Sequence, residues 1–438
     1  MTGWRSAILL VLVCFGLLLP VDAVEAEFTL SDSHYDDLPA MTGVPFPTAI
    51  AWLPDDTLLA TGKAGQVYRE NGGGANSILN LTSSVCSGGE MGLLGLAVDP
   101  NYGPSRPYVY VYYTHKRGSS CNEASGRANR VSRFSMDGSG NLTPASERVL
   151  LDNIAAKGGN HNGGDIQFGC DGMLYAAVGD SGTDLIDGSG QNGNARRMDI
   201  LNGKILRIMP DGAIPADNPF TGSGSTACAL NGQVTSRAAV GVEKKNHKAK
   251  KRKQRKQRER KRERKRDRQV SATRCGEIFA TGLRNPYRIA FDPDATGTPR
   301  FFINDVGGGA WEEIDEGAAG ADYGWNLREG PCKINETSGC SPDSRFVEPI
   351  FAYKHSSGCN VITGGAFVPQ SSVWPDSSRY FYTDFGCQEL ASIDKENPAA
   401  KSVLGTGARA THLAFGPDGQ LYYTDFSDDA IRKIVYAP

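Results

Sequence analysis

A chain of 438 residues with 39% hydrophobic content has enough apolar surface for a core, as two or three ordinary domains or as one large all-β unit. Its 53 glycines and 23 prolines suit many tight turns and argue against a fold rich in long helices. The net charge of −2 hides an asymmetry: residues 244–268 hold 17 Lys/Arg against 3 Asp/Glu, a local +14, so the remainder carries −16.

Residues 1–26 read as a secretory signal peptide. Arg5 gives the positive flank, Ala7 to Leu19 is an almost unbroken apolar run, and Val21-Asp-Ala23 and Val24-Glu-Ala26 offer small residues for cleavage. The run is short for a membrane span, and no other stretch is long and apolar enough to be one. The expected address is therefore secreted or extracytoplasmic, where disulfides form. Of ten cysteines, Cys14 leaves with the leader. Pairing the rest by proximity in the chain gives Cys86 with Cys121, Cys228 with Cys275, Cys332 with Cys340 and Cys359 with Cys387, leaving Cys170 over. Connectivity itself is not fixed by sequence.

One phrase then recurs: an apolar–Ala/Phe–apolar run, turn residues, and a β-rich run that often ends in Asp. Its copies start near residues 49, 96, 166, 289, 365 and 413, at spacings of 47, 70, 123, 76 and 48. The shortest spacing is that of a four-stranded propeller blade, and the longer ones imply insertions at loops. The expectation is an all-β, six-bladed β-propeller over about 40–437. Loops from every blade of such a fold surround one axial mouth.

The third copy carries the first chemistry. Gly158-Gly-Asn-His161-Asn-Gly-Gly164 puts one imidazole between glycine pairs, which let the backbone bend and leave room for something flat or bulky to approach. The following strand–turn–strand ends in Asp180, and an Asp near a His fixes its tautomer and raises its basicity. Next, residues 243–269 form a basic insert with almost no apolar residue, unable to offset its ordering entropy by burial. It reads as a solvated loop, or as an arm for an anionic surface polymer, with attraction that fades as salt rises. The secretory leader overrides a nuclear reading of this run, and nucleic acid is not expected as a partner. Beyond it, Thr281-Gly-Leu-Arg-Asn-Pro286 presents Arg284 and Asn285 in a Pro-locked loop. Asn304-Asp-Val-Gly-Gly-Gly-Ala-Trp-Glu-Glu-Ile314 with Ala321-Asp-Tyr-Gly-Trp325 combines glycine carbonyls and carboxylates, as a hard cation requires.

In this order, the motifs resemble those of the soluble quinoprotein glucose/sorbosone dehydrogenase superfamily, which includes aldose sugar dehydrogenases and hedgehog-interacting-protein-like proteins. Tyr353-Lys-His355 and Cys359-Asn-Val-Ile-Thr-Gly-Gly365, with Cys387, look like the secreted branch, in which that cysteine pair would be a disulfide. The resemblance implies a six-bladed propeller with pyrroloquinoline quinone (PQQ) over the axial mouth and Ca²⁺ holding it. His161 would be the general base for a sugar oxidised at C1, with hydride passing to the quinone. Asp180 would orient His161, Arg284 would stabilise charge developing on the quinone, and Asn285 would bind it. The carbonyls of Gly307 and Gly308 would ligate the cofactor Ca²⁺, and Glu313 with the Tyr323 carbonyl a second, structural one. Glu90 stands where the glucose enzymes carry Gln near the quinone, no Lys occurs at Phe385-Gly-Cys387, and of two arginines expected before the last blade only Arg409 is present, with Thr411 in the other place. The His–Asp and Arg–Asn pairs favour an enzyme, a PQQ-dependent sugar dehydrogenase whose electron acceptor is unknown. The missing cations favour the alternative, a non-catalytic secreted propeller that binds a carbohydrate or protein partner.

Overall fold

The computed structural model describes residues 28–123, 126–185, 192–235 and 273–438. The expected leader and the basic insert 243–269 lie outside the described residues. Among the described residues the regular secondary structure is almost all strand, joined by turns and loops, with two single-turn 3₁₀ segments, Pro144–Ser146 and Gly193–Arg196.

The strands form antiparallel meanders in chain order. The first joins Pro47–Trp52, Leu58–Gly62, Gln66–Asn71 and Gly74–Asn80; the second joins Leu93–Val98, Tyr108–His115, Ala128–Ser135 and Arg148–Ala155. The third joins Ile166–Phe168, Leu174–Val178, Lys204–Ile208 and Ile278–Thr281, so the long insertion falls between its last two strands. Pro286–Phe291, Phe301–Asp305, Trp311–Glu316 and Phe351–Lys354 follow, then Ile362–Phe367, Arg379–Asp384, Glu389–Asp394 and Lys401–Thr406, with Thr29–Leu30 added at the edge. The last meander, Ala410–Phe415, Leu421–Asp425 and Ala430–Tyr436, takes its fourth strand from the other end of the chain: Tyr35–Thr42 pairs antiparallel with Ala430–Tyr436. Paired residues therefore begin upstream of residue 40, where the repeat starts to be legible. A single parallel bridge, Thr42 to Gly74, joins this sheet to the first, making eight strands continuous.

The leading strand of each meander contains the opening of one copy of the repeated phrase, and each leading strand contacts the next, the last returning to the first. The apolar residues pack in the same cyclic order. Tyr113 and Phe134 of the second sheet meet Leu59 and Val67 of the first; Tyr112 and Leu151 meet Ile166 and Leu206; Tyr422 and Ile431 of the last sheet close on Ile50 and Tyr68. A strand with apolar residues on both faces suits this arrangement, since each sheet is sandwiched between two others. Tyr108-Val-Tyr-Val-Tyr-Tyr113 is the clearest example, buried from Val109 to Tyr113.

On the axis of the ring, Arg288 is fully buried. It donates through Nε to the Thr411 carbonyl at 2.7 Å and through Nη2 to the carbonyls of Thr48 and Leu94. One guanidinium thus ties together leading strands from four meanders, and the planar, five-donor fork is what makes this possible. The disulfides are Cys86–Cys121, Cys228–Cys275, Cys332–Cys340 and Cys359–Cys387, the four pairs expected from proximity, and Cys170 is free and exposed. No helix among the described residues is long and apolar enough to cross a membrane.

Candidate active site

A cavity of about 530 Å³ opens at one end of the axis, lined among others by Lys63, Glu90, His161, Arg284, Asn285, Gly307, Gly308, Phe385 and Phe426. These residues come from four of the meanders and from three of the loops between meanders, and are brought together only by closure of the ring.

His161 is 9% exposed and its backbone is left-handed, with φ of 49°. Its Nδ1 lies 2.7 Å from Asp180 Oδ1. Asp180 is fully buried and also accepts the Gly182 N–H on Oδ1 at 2.8 Å and the Trp325 Nε1–H on Oδ2 at 2.8 Å. Two of its three partners can only donate, and the imidazole tautomer that completes the set donates from Nδ1. That assignment leaves Nε2 of His161 with a free lone pair, as a general base requires. The glycines around His161 have a different task from the expected one. A Cβ at Gly163, where φ is 60°, would lie 2.6 Å from the Ala177 carbonyl, and a Cβ at Gly179 would overlap the His161 carbonyl. The space is filled by the protein's own backbone, which presses the His161 loop onto the strand leading to Asp180.

Glu90 accepts the His161 N–H at 2.7 Å and the Asn285 Nδ2–H at 3.2 Å through one oxygen. Asn285 in turn accepts the Gly163 N–H on Oδ1 at 3.0 Å. The carboxylate that stands in place of Gln therefore clamps the base-bearing loop to the Arg284-Asn285 loop. Arg284 donates through Nη1 to the Val306 carbonyl at 2.9 Å and stacks over Trp325 at 5.4 Å, its charge on the cavity wall. Lys63, which no sequence motif singles out, supplies a second wall cation. Its Nζ donates to the Gly89 carbonyl at 2.6 Å, and burial lowers its pKa while the charge of Glu90 opposes that fall. Arg409 is not among the residues lining the cavity. With the Gln388 amide turned oxygen-first, that oxygen accepts from Arg409 Nε at 2.9 Å and Nη2 at 3.2 Å.

The Gly307-Gly308 loop is held from behind by two acids. Glu312 accepts the Gly307 N–H at 3.1 Å and the Ile362 N–H at 2.8 Å, and pairs with His355 Nε2 at 2.6 Å. One oxygen of Glu329 accepts N–H groups from Gly308, Gly309, Ala310 and Trp311, at 2.8 to 3.1 Å. With its amides turned to these carboxylates, the loop has carbonyl oxygens left for the cavity, the donor type a Ca²⁺ ion takes.

Beneath this loop, Asp305, Glu313 and Asp315 are buried with carboxylate oxygens within 4.8 Å of one another. Asp305 faces Glu313 in the strand register, and Asp315 follows Glu313 by two residues, on the same face. Both Asp315 oxygens are buried without a hydrogen-bond partner. Burial raises all three pKa values: that of Asp305 to about 7, against the pull of the Arg284 and Asn285 N–H groups, and those of Glu313 and Asp315 well above their ordinary values, with repulsion from neighbouring carboxylates adding to burial. Three converging carboxylates with unused oxygens fit a divalent cation. Asp305 also accepts the N–H groups of Arg284 and Asn285 at 2.8 and 2.6 Å, which links this cluster to the cavity wall. Tyr323 is close by, donating its hydroxyl to the Glu316 carbonyl and its N–H to the Thr281 carbonyl.

Trp325, Glu329, Asp305 and Asp315 were not given these roles by sequence reasoning. Trp325 stands in a quoted motif, Asp322-Tyr-Gly-Trp325, but its reach to Asp180 across 145 positions has no local signal. Replacing Trp325 with Phe keeps a ring over Arg284 and removes one donor from Asp180. We expect turnover to fall about tenfold, the scale of a hydrogen bond to a charged group. Steady-state kinetics of the two proteins would check this.

Several known proteins are similar to this chain. Aldose sugar dehydrogenase YliI of Escherichia coli (strain K12) is 24% identical over 403 residues, 89% of each chain. HIPL1 protein of Arabidopsis thaliana is 30% identical over 268 residues, which is 55% of this chain and 30% of that protein. In structure, the PQQ-bound form of aldose sugar dehydrogenase from Streptomyces coelicolor matches 93% of this chain and 98% of its own, with a TM-score of 0.62 at 21% identity, a likeness of fold. That fold is the β-propeller. The Glucose / Sorbosone dehydrogenase family model matches residues 44–230 and 266–433, most of the chain, and the protein is a member of the glucose/sorbosone dehydrogenase family.

Proposed function

We propose that this chain is an exported dehydrogenase that oxidises an aldose at its anomeric carbon, with PQQ and Ca²⁺ in the axial cavity of a six-bladed propeller. The blade count takes the eight-stranded sheet as two blades bridged only at Thr42 and Gly74. The single observation that carries the catalytic reading is the donor-saturated Asp180 behind His161, which leaves Nε2 as a base in a cavity walled by cations.

His161 Nε2 takes the proton of the anomeric hydroxyl, and Asp180 stabilises the imidazolium that results. Lys63 and Arg284 give the cavity the positive walls that an anionic, flat quinone requires, and Asn285 adds an amide held by Glu90. The quinone, when bound, supplies the acceptor for the hydride that leaves the anomeric carbon, so that the sugar becomes its lactone. The Gly307 and Gly308 carbonyls are the proposed ligands of the Ca²⁺ that accompanies it. Glu313, joined by Asp305 and Asp315, is the proposed holder of the second Ca²⁺, with the Tyr323 carbonyl as a further ligand. Disulfides in a protein of this fold, together with the apolar leader, support an extracytoplasmic address.

The test is to mix purified apoprotein with the quinone and Ca²⁺ and present a panel of aldoses with an artificial electron acceptor. Acceptor reduction should require protein, quinone and sugar together. A protein that takes up the quinone yet oxidises no aldose in the panel would end this reading.

A further inference from the structure

We propose that Phe46, Phe426 and Phe385 form a shelf for the sugar ring adjoining the one oxidised, so that the site takes the reducing end of an oligosaccharide in preference to a free monosaccharide. This deepens the sugar-dehydrogenase reading above and rests on it.

Phe385 and Phe426 line the cavity that holds His161, and Phe46 continues the same aromatic surface beyond the lining residues. The centroids of Phe385 and Phe426 are 5.5 Å apart, edge to face, and those of Phe426 and Phe46 are 5.1 Å apart. Phe46 is 53% exposed, among the most exposed large apolar side chains described. It also has φ of 47°, a left-handed backbone that a bulky residue rarely adopts and that costs on the order of 1 kcal/mol. A residue that is both strained and wasted on water needs a reason, and such outliers gather at ligand sites.

The surrounding contacts hold the strain in place. Asp429 accepts the Phe46 N–H on its side chain at 2.8 Å, and its carbonyl accepts from Gly43 and Val44. The Phe46 carbonyl accepts the N–H of Lys63, the wall cation. The turn carrying Phe46 is thereby stapled to the one carrying Phe426, and the two rings are presented as a unit. The rings come from loops next to three different strands, Pro47–Trp52, Arg379–Asp384 and Leu421–Asp425.

The chemistry of the shelf selects its occupant. Flat apolar rings suit the C–H face of a pyranose, and continuity with the cavity places that pyranose one glycosidic link from the reacting carbon. Three rings are far too small an area for a specific protein partner, which needs roughly 1,000 Å² or more.

The experiment compares quinone- and Ca²⁺-loaded wild type with Phe46→Gly, Phe46→Tyr and Phe426→Leu. The substrates are D-glucose, maltose, maltotriose, cellobiose and cellotriose. Gly accepts the local φ, so the first variant removes the ring without adding strain. Wild type should show a disaccharide-to-glucose ratio of kcat/KM above one in at least one series. Phe46→Gly should lower that ratio by about tenfold, the scale of a hydrophobic group lost from a subsite. Phe46→Tyr should retain it. A ratio unchanged in Phe46→Gly overturns the proposal, as does a wild type that does not favour the disaccharide in either series. A changed KM for the electron acceptor with the sugar ratio intact would assign the rings to the acceptor and overturn it too. Calorimetric binding of maltotriose and cellotriose to the quinone-free protein separates the two readings. Ring-dependent binding without any sugar oxidation would sink the dehydrogenase reading and leave the shelf, whereas oxidation without ring dependence would do the reverse.

Discussion

Replacing His161 with Gln should lower the turnover of sugar by about 10²–10⁴-fold, the usual cost of losing a positioned acid–base group. Asp180 receives N–H groups from Gly182 and Trp325, so the proton between it and the imidazole belongs to Nδ1. Gln can reach the same carboxylate but presents no basic lone pair to the cavity. Quinone affinity should hold, because the wall cations Lys63 and Arg284 are untouched. The left-handed backbone at residue 161 adds a control. Asn tolerates that conformation better than most residues, so His161→Asn separates loss of the base from loss of the loop shape. Stopped-flow reduction of the loaded enzyme by sugar, with equilibrium quinone titration alongside, gives both quantities. Turnover within a few-fold of wild type in the two variants would remove His161 from the chemistry.

The second large effect concerns the buried acids. Stripping calcium should lower the melting temperature, and the gap between stripped and loaded protein should widen as pH rises from 5 to 8. Asp305, Glu313 and Asp315 have raised pKa values in the folded chain, Asp305 at about 7, against ordinary values near 4 when unfolded. Between those values the folded metal-free state binds more protons than the unfolded one, so its stability falls as pH rises. A divalent cation takes over the task of the protons and removes that slope. At a hundredfold excess over its Kd, calcium adds about 2.7 kcal/mol. Asp315→Asn should flatten the pH dependence of the stripped protein, since it removes the carboxylate whose oxygens have no other partner. Glu313→Gln should lessen the stabilisation by calcium more than it lessens turnover. Calorimetry of resin-stripped protein with and without added CaCl₂ is the measurement, and parallel melting curves across pH would refute the assignment.

These two sites differ in how readily the sequence shows them. His161 and Asp180 stand at the ends of one strand–turn–strand unit, so a local reading brings them together. The repeated phrase was equally legible, because alternation of apolar and turn residues is a local property, and its copies are the leading strands of the ring. The acid cluster was only half visible. In Trp311-Glu-Glu-Ile-Asp-Glu316 the motif singles out Glu313, but only its pairing with Asp305 shows which face turns inward and that Asp315 shares it. Lys63, Glu329 and Trp325 act on partners in other segments, through contacts that depend on ring closure. The strand Tyr35–Thr42 was missed for a related reason: its partner lies at the far end of the chain, and its alternating exposure gives it a weak apolar signal.

That strand has a consequence for biogenesis. Tyr35 pairs with Tyr436 and Thr42 with Ala430, so the segment made early is completed by one made about four hundred residues later. At ~5–20 residues per second, tens of seconds separate the two on the ribosome. During that time Met41, later sealed against Ile50 and Ile431, has no finished wall to pack on. The circle cannot be completed before residues 430–436 have been made, and the cavity cannot acquire its shape before the circle does. Competence for ligand is therefore acquired in one late step. Any nascent chain must be kept from aggregating through its exposed early strand until then.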